Sequence, residues 1–241
     1  MSVVARSSTA RVAKEFARAV AAHRAGRLLE AVERYRALAR MLPRNGRVRS
    51  NLGAALHSLG RFDEAVAWCR EAVALDPHFA DAHHNLGNAL ADARVVGGDF
   101  AAAAVAFSRV LEVTPGDREA RAALEAAATR AGDQLVVAGR PREAAELQRT
   151  ALAAAPDSAR LLNGLGVALR AEGAVAAAIA AFRSAREHDP TSAAIHTNLG
   201  LALLDAGDAA GAVAANERAI ILDPHHGDAH ANLAAAHFAD G

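Results

Sequence analysis

Cysteine, aromatic residues and lysine are scarce in this sequence. Among its 241 residues it has one cysteine, Cys69, one tryptophan and one tyrosine, and Lys14 is its single lysine. One cysteine excludes an intramolecular disulfide and any zinc site built on several cysteines, and it is compatible with a reducing compartment. The chain also lacks an apolar run long enough for a signal peptide or a membrane-spanning helix. We therefore expect a soluble, cytoplasmic protein.

Motifs that carry catalysis are missing as well. The sequence has no glycine-rich phosphate loop and no serine, histidine and aspartate order typical of a hydrolase. Histidines cluster at two places, His83 with His84, and His225, His226 and His230, but no cysteine or carboxylate motif completes a zinc site in either cluster. We expect His83, His196 and His230, which share one repeat position, to pack structurally. The chain is predicted to be non-catalytic, with no metal and no cofactor.

A proline recurs at regular intervals along the chain. The six positions are Pro43, Pro77, Pro115, Pro156, Pro190 and Pro224. Successive spacings are 34, 38, 41, 34 and 34 residues, which indicates a 34-residue repeat with two insertions. The first insertion, near "ARVVGGD", predicts a longer loop in the third repeat, and the second predicts a longer first helix in the fourth.

Each repeat has the pattern of a helical hairpin. Apolar residues recur at helical spacing, a glycine lies mid-repeat where a left-handed turn can end the first helix, and the proline closes the second helix. The mid-repeat glycines are Gly26, Gly60, Gly98, Gly139, Gly173 and Gly207. Further glycines in the first helices predict close approach of the second helix, with four expected pairs. These pairs are Gly53 with Ala65, Gly87 with Ala103, Gly166 with Ala178, and Gly200 with Ala212.

Larger side chains, such as Phe107 and Phe182, are expected to fill the rest of each helix pair. Gln148 and Asn216 replace that aromatic residue in two repeats, where we expect looser packing.

The motifs "LGxxL" and "GxFxxA", followed by an aromatic residue, an alanine and the closing proline, resemble those of tetratricopeptide repeats. The resemblance covers residues 12–241 and implies an all-α fold, a right-handed α-solenoid of stacked hairpins forming a superhelix. It divides the chain into a flexible segment, 1–11, and one solenoid domain, 12–241. The repeats are 12–45, 46–79, 80–117, 118–158, 159–192, 193–226 and a partial repeat, 227–241.

An asparagine precedes the leucine of this motif in four repeats. These residues are Asn51, Asn85, Asn198 and Asn232, and Asn88 lies on the same helix face as Asn85. The family resemblance places first helices along a concave groove, where such amides can pair with the main chain of an extended peptide. The repeat region of O-linked N-acetylglucosamine transferase is similar in carrying groove asparagines that hold substrate peptides. The alternative is that asparagine here is a tolerated polar residue without a ligand. Arg130 and Gly164 interrupt the series in the fourth and fifth repeats.

Other groove candidates are His57, His84, Arg160 and Arg170, which would suit acidic ligands, although solvated polar residues are the simpler interpretation of each. A clamp for a C-terminal carboxylate is poorly supported, because Lys14 has no fitting partners.

Residues 1–49 carry a formal charge of +9 and the remainder −9. Nucleic acid is not favoured as a partner, because aromatic residues for base stacking are few.

The sequence thus predicts a scaffold that binds a protein or peptide in the groove of a solenoid. The alternative is a non-catalytic targeting arm of a larger enzyme, such as a glycosyltransferase. The last helix carries Leu233 and Phe238 among alanines, so we expect the native chain to continue or this helix to mediate self-association.

Overall fold

The computed structural model describes residues 3–93 and 98–240, and within these ranges all regular secondary structure is helical. The helices are α1 (Val3–Arg24), α2 (Leu28–Met41), α3 (Gly46–Ser58), α4 (Phe62–Leu75), α5 (Ala80–Asp92), α6 (Phe100–Val113), α7 (Arg118–Val137), α8 (Pro141–Ala154), α9 (Ala159–Glu172), α10 (Val175–His188), α11 (Ala193–Asp205), α12 (Ala209–Leu222) and α13 (Gly227–Asp240). Consecutive helices pair as hairpins, and the predicted all-α solenoid of stacked hairpins is confirmed.

Glycine makes the turn inside every hairpin. The six glycines predicted for these turns all have φ between +71° and +88°, the left-handed region where a Cβ is costly. At Gly173 the turn also satisfies the end of α9: the Gly173 N–H donates to Arg170 O, and the Ala174 N–H donates to Leu169 O. The predicted turn positions are therefore confirmed.

Proline ends the second helix of each hairpin. The helices α2, α4, α6, α8, α10 and α12 each stop two residues before one of the six recurring prolines. The next first helix then begins behind a polar cap in several repeats. Asn45, for example, accepts a hydrogen bond from the Val48 N–H at 3.0 Å, and Ser158 accepts one from the Leu161 N–H at 3.3 Å.

Both insertions lie where the sequence predicted them. The connection between α5 and α6 runs from 93 to 99, longer than the turns of the other hairpins, and its residues 94–97 lie outside the described part of the chain. Helix α7 has 20 residues, against 13 or 14 in the first helices of the neighbouring repeats. The insertions therefore lengthen one connection and one helix and leave the hairpin pattern intact.

The chain divides into two compact units, residues 1–121 and residues 122–241, with the boundary inside α7. Each contains stacked hairpins of the same kind. Helix α1 begins at Val3, so the segment 1–11, expected to be flexible, is helical over most of its length. The single domain 12–241 and the flexibility of 1–11 stay predictions.

In four hairpins, a glycine of the first helix (Gly53, Gly87, Gly166 or Gly200) lies against a side chain of the second helix, in the seam between the two helices. A Cβ on Gly166 would lie 2.5 Å from the Phe182 ring, and one on Gly87 would lie 2.7 Å from the Phe107 ring. Close approach is thus confirmed; of the expected alanine partners, Ala65 lies against Gly53 through its carbonyl oxygen at 3.2 Å, and the other three were wrong. The closest side chains belong to residues one turn further along the second helix, namely Cys69, Phe107, Phe182 and Asn216.

Gln148 and Asn216, which replace the aromatic residue, fill their seams. Both side chains are fully buried. The Gln148 Nε2 donates to Ala128 O at 3.0 Å, and the Asn216 Nδ2 donates to Ala212 O at 2.8 Å. The expectation of looser packing overlooked these hydrogen bonds, through which an amide can occupy an aromatic position.

Candidate functional site

The four asparagines of the predicted series lie on the first helices of their hairpins. First helices of successive hairpins contact one another directly, α3 with α5 in the N-terminal compact unit, and α9 with α11 and α11 with α13 in the C-terminal one. We call the surface that these helices share within each compact unit its inner face. The position of Asn51, Asn85, Asn198 and Asn232 in the repeat is called the ladder position.

In the N-terminal compact unit, a serine fixes the orientation of one ladder asparagine. The Asn85 Nδ2 donates to Ser50 Oγ at 2.9 Å, from α5 to α3, and the Asn85 side chain is only partly buried. The same Nδ2 lies 3.5 Å from the Ser50 carbonyl oxygen, so the Oδ1 of Asn85 is the group left for another partner among the described residues. The pKa of the Tyr35 phenol is raised above its ordinary value because burial outweighs the opposing effect of a hydrogen bond with Asn51. Asn88, one turn beyond Asn85, is also half-buried.

In the C-terminal compact unit, Asn163 makes the contact that Ser50 makes in the N-terminal one. The Asn198 Nδ2 donates to Asn163 Oδ1 at 2.9 Å, from α11 to α9. Ser50 and Asn163 both lie one residue before the ladder position of the preceding hairpin, so the two contacts are equivalent. Asn232, on α13, is half-buried. Of the five predicted residues, the structure joins Asn85 and Asn198 to the preceding hairpin, and it places Asn51, Asn88 and Asn232 half-buried on first helices.

The series is interrupted at Gly164 for a reason of packing. A Cβ on Gly164 would lie 2.8 Å from Gln148 Nε2, so the buried amide of α8 occupies the space of a side chain at this ladder position. Thr129 lies one residue before the ladder position of the fourth repeat, as Ser50 and Asn163 do in theirs. Its Oγ1 is buried and has no hydrogen-bond partner among the described residues, because Gly164 supplies no amide.

Charged residues on the inner faces pair between neighbouring hairpins. His57 Nε2 lies 2.9 Å from Asp92 Oδ2, and Arg170 Nε lies 2.6 Å from Asp205 Oδ2. His84 Nε2 lies 3.8 Å from Glu119 Oε1. Two of the four predicted groove candidates, His57 and Arg170, are therefore within hydrogen-bonding distance of a carboxylate of this chain, which weakens the expectation that these two bind acidic ligands. The fourth, Arg160, lies near Asp133, where burial raises the pKa of the carboxyl and Arg160 lowers it.

A signal for these pairs was present in the sequence. His57 and Asp92, and Arg170 and Asp205, are 35 residues apart, one more than the period, as Asn85 is from Ser50 and Asn198 from Asn163. His84 and Glu119 are also 35 residues apart, but the longer third repeat lies between them and they do not follow this rule. Complementary side chains at period plus one therefore mark contacts between first helices of successive hairpins.

The repeated histidines have a structural role. The Nε2 atoms of His83, His196 and His230 lie 2.9, 3.1 and 2.9 Å from the carbonyl oxygens of Pro77, Pro190 and Pro224 respectively. Each histidine thereby links a first helix to the turn before it. His83 and His196 are buried, as the packing interpretation predicted, whereas His230 is exposed. In the described ranges, no group of three or more histidine, cysteine or acidic side chains is arranged to hold a metal ion.

A cavity of about 540 Å³ opens on the inner face of the N-terminal compact unit. Asn51 and Ala54 of α3 line it, together with residues of α5, α6, the turn after α6 and the start of α7. These residues are Ala80, Asp81, His84, Asn85, Val110, Thr114, Asp117 and Glu119. Two ladder asparagines thus border one concave, polar site, which is suited to hydrogen bonding with an extended segment.

Over residues 3–93 and 98–240, none of the helices combines the length and hydropathy needed to cross a bilayer.

Among curated proteins, a TPR repeat-containing thioredoxin of Arabidopsis thaliana, TTL4, is 42% identical to this chain over 66 residues. A second Arabidopsis protein, the inactive TPR repeat-containing thioredoxin TTL3, is 41% identical over 66 residues. Each match covers 27% of this chain and 10% of the relative, so the chain spans about a tenth of the length of these proteins.

Solved structures share the fold at low identity. The crystal structure of YrrB, a TPR protein, is similar with a TM-score of 0.56 and 21% identity, over 83% of this chain and 98% of that one. The MamA protein is similar with a TM-score of 0.53 and 19% identity, over 74% and 92% of the two chains.

Family models match more than half of the chain. A TPR repeat model matches residues 53–93, and a tetratricopeptide repeat model matches residues 129–193 and 197–241. These matches contain the ladder positions of Asn85, Asn198 and Asn232. The chain belongs to the tetratricopeptide repeat family.

Proposed function

We propose that this protein is a binding scaffold that holds an extended segment of a partner by its main chain. The carrying observation is the arrangement of Asn85 and Asn198, each held by its Nδ2 against the preceding hairpin and each with an Oδ1 that has no hydrogen-bond partner among the described residues. Each oxygen can accept from the N–H of an extended backbone, and Asn198 keeps one N–H that can donate to its C=O, whatever the side chains of the segment are. Asn51, Asn88 and Asn232 are proposed to extend the same surface.

Family membership supports the scaffold role. YrrB, which shares the fold, is described as having an unusual peptide-binding site. Interruption of the series at Gly164 favours two separate binding stretches, one on each inner face, over a single continuous one. We propose that each stretch engages its segment independently.

The scaffold can be tested with peptides selected from a displayed random dodecamer library. We expect Asn85→Ala to weaken a peptide held on the N-terminal inner face by about tenfold, a loss of about 1.4 kcal/mol typical of one or two hydrogen bonds. N-methylation of single peptide amides should weaken binding to the wild type similarly, because it removes main-chain donors. Titration calorimetry would measure both effects.

The chain offers matched controls for this test. Ser50→Ala and Asn163→Ala remove the contacts between hairpins but keep Asn85 and Asn198. Each should lower the free energy of unfolding by about 1 kcal/mol, like the asparagine variants, while retaining most of the peptide affinity. If the serine variant loses as much affinity as Asn85→Ala, or if N-methylation has no effect at any position, main-chain recognition is refuted.

A second proposal is that the chain is the non-catalytic targeting arm of a larger enzyme. The observation that favours it is the pair of Arabidopsis relatives, whose names join TPR repeats to a thioredoxin. Glycosyltransferase was the enzyme class expected from the groove asparagines. The test is whether the reading frame that encodes this chain also encodes an enzyme domain, which the proposal requires.

We further propose self-association through α13. The observation that favours it is Phe238, whose side chain is 90% exposed, whereas Leu233 on the same helix is half-buried. An exposed phenylalanine among small residues is a common feature of protein interfaces.

A further inference from the structure

The cavity on the N-terminal inner face is acidic. Its lining contains three carboxylates, those of Asp81, Asp117 and Glu119, and no arginine or lysine. His84 is the single basic group among the lining residues, and it lies 3.8 Å from Glu119. This acidity is local, because the first 49 residues of the same compact unit carry a formal charge of +9.

The three carboxylates differ in the hydrogen bonds and ion pairs that they already make. Asp117 caps α7 by accepting a hydrogen bond from the Ala120 N–H at 2.9 Å. Glu119 has a side chain that is 83% exposed, and among the described residues its one charged neighbour is His84, at 3.8 Å. Asp81 is exposed in the first turn of α5 and has no ion pair or side-chain hydrogen bond within the described ranges. Two of the three therefore have capacity for a cationic partner.

Neutral amides complete the site. Asn51 and Asn85 border the same cavity, and Ser50 fixes the orientation of Asn85 at 2.9 Å. An extended segment can therefore hydrogen-bond the amides through its main chain while one side chain enters the cavity beside Asp81 and Glu119. A guanidinium group fits this place best, because its planar donors match carboxylate oxygens and its weak hydration lowers the cost of binding.

We infer that the N-terminal inner face selects extended segments that place an arginine in this cavity. The inference rests on the proposed main-chain recognition and adds a side-chain preference to it. Acidic segments are disfavoured at this place because three carboxylates would repel them. Complementary charge acts here mainly on selectivity, since each exposed ion pair contributes only modestly to affinity.

The test uses three heptapeptides with the sequence acetyl-Gly-Ser-Gly-X-Gly-Ser-Gly-amide, in which X is arginine, citrulline or glutamate. Citrulline keeps the size and hydrogen-bonding shape of arginine without its charge. The full chain, labelled with nitrogen-15, would be titrated and followed by NMR. We expect the arginine peptide to bind about five-fold or more tightly than the citrulline peptide, and glutamate to bind weakest. This preference should fall between 50 and 500 mM salt.

Two double variants test whether the preference for arginine depends on the carboxylates of the cavity. Asp81→Asn with Glu119→Gln should reduce the preference for arginine over citrulline to less than about two-fold. Glu71→Gln with Glu112→Gln removes the same charge outside the cavity, from exposed pairs with Arg49 and Arg109, and should leave the preference unchanged. Asp117 is left intact because it caps α7.

The outcomes separate this inference from the proposed function. Equal binding of arginine and citrulline peptides, with shifts of the Asn85 side-chain amide signals, would overturn the arginine preference and leave main-chain recognition standing. A preference that depends on Asp81 and Glu119 but leaves the Asn85 amide signals unmoved would support the cation site and refute the amide role. Absence of binding by all three peptides would overturn the arginine site.

Discussion

Gly164 shows how one buried side chain decides what a neighbouring position can carry. Alanine is normally better than glycine inside a helix by about 1 kcal/mol, but here a Cβ would lie 2.8 Å from the fully buried Gln148 amide. Overpacking of this kind typically costs about 1 to 3 kcal/mol. We therefore expect Gly164→Ala to lower the free energy of unfolding, as measured by urea denaturation.

The control for this change is the same substitution in a Gln148→Ala background. With the amide removed, Gly164→Ala should become neutral or stabilising, by up to about 1 kcal/mol. A reversal of sign between the two backgrounds is the signature of direct contact. An equal effect of Gly164→Ala in both backgrounds would show that Gln148 does not explain the missing asparagine.

Cys69 permits a second test at the level of one residue. The thiol lies in the seam between α3 and α4, fully buried, and burial raises its pKa to about 12. Since the thiolate is the reactive form, the native protein at pH 8 should react with a disulfide reagent far more slowly than the unfolded protein does in guanidinium. Reaction in native buffer at the unfolded rate would contradict this burial.

The sequence located the candidate residues but not their partners. Asparagine before leucine and glycine marks the ladder position, because repetition of a polar residue at the full period is visible without a structure. The bond from Asn85 to Ser50 was not predicted, since it joins different positions of neighbouring repeats. The cavity beside Asn85 was not predicted either, because its lining comes from four helices and includes residues near the insertions.

At the level of helices, Gly166 determines how closely α9 and α10 approach. A Cβ there would lie 2.5 Å from Phe182, whose ring is fully buried. Gly166→Leu should therefore separate the two helices at a cost of about 3 kcal/mol or more, the upper end of overpacking effects. Because repeats couple mainly to their neighbours, thermal unfolding followed by circular dichroism should become less cooperative as well as lower in midpoint.

Gly227 provides the matched control for Gly166. It is also a helical glycine, but a Cβ at this position would meet no atom within 4 Å. Gly227→Leu should leave the midpoint unchanged or raise it slightly, through helix propensity. If Gly166→Leu gives one sharp transition at the wild-type midpoint, the close contact with Phe182 cannot be present.

Hairpin boundaries were predictable from glycine and proline, whereas the contacts across each seam were not. A left-handed turn and a closed helix each require one residue type, so Gly60 and Pro77 mark their places without reference to the rest of the fold. Gly166 meets Phe182 and not Ala178, because a helical side chain leans over the turn that precedes it. Pairing by position along the backbone was therefore wrong by one helical turn.

Charge is unevenly distributed over the whole molecule. Residues 1–49 carry +9, and the remaining residues carry −9. Two copies of such a chain attract each other when the basic part of one meets the acidic part of the other, and contacts of this head-to-tail kind extend into open assemblies unless they close into a ring. The strength of this attraction should fall as salt is raised.

Self-association through α13 combines this attraction with the exposed ring of Phe238. We expect sedimentation velocity to show a concentration-dependent increase in size at 50 mM salt, smaller at 500 mM, and abolished by Phe238→Glu. Val137→Glu is the control, because Val137 is 89% exposed on α7 and Phe238 is 90% exposed on α13, so both changes add a charge at an open apolar site. If α13 forms the interface, Phe238→Glu should abolish the association and Val137→Glu should leave it unchanged. A monomer at every salt concentration, or an equal response to both variants, would rule out α13 as the contact.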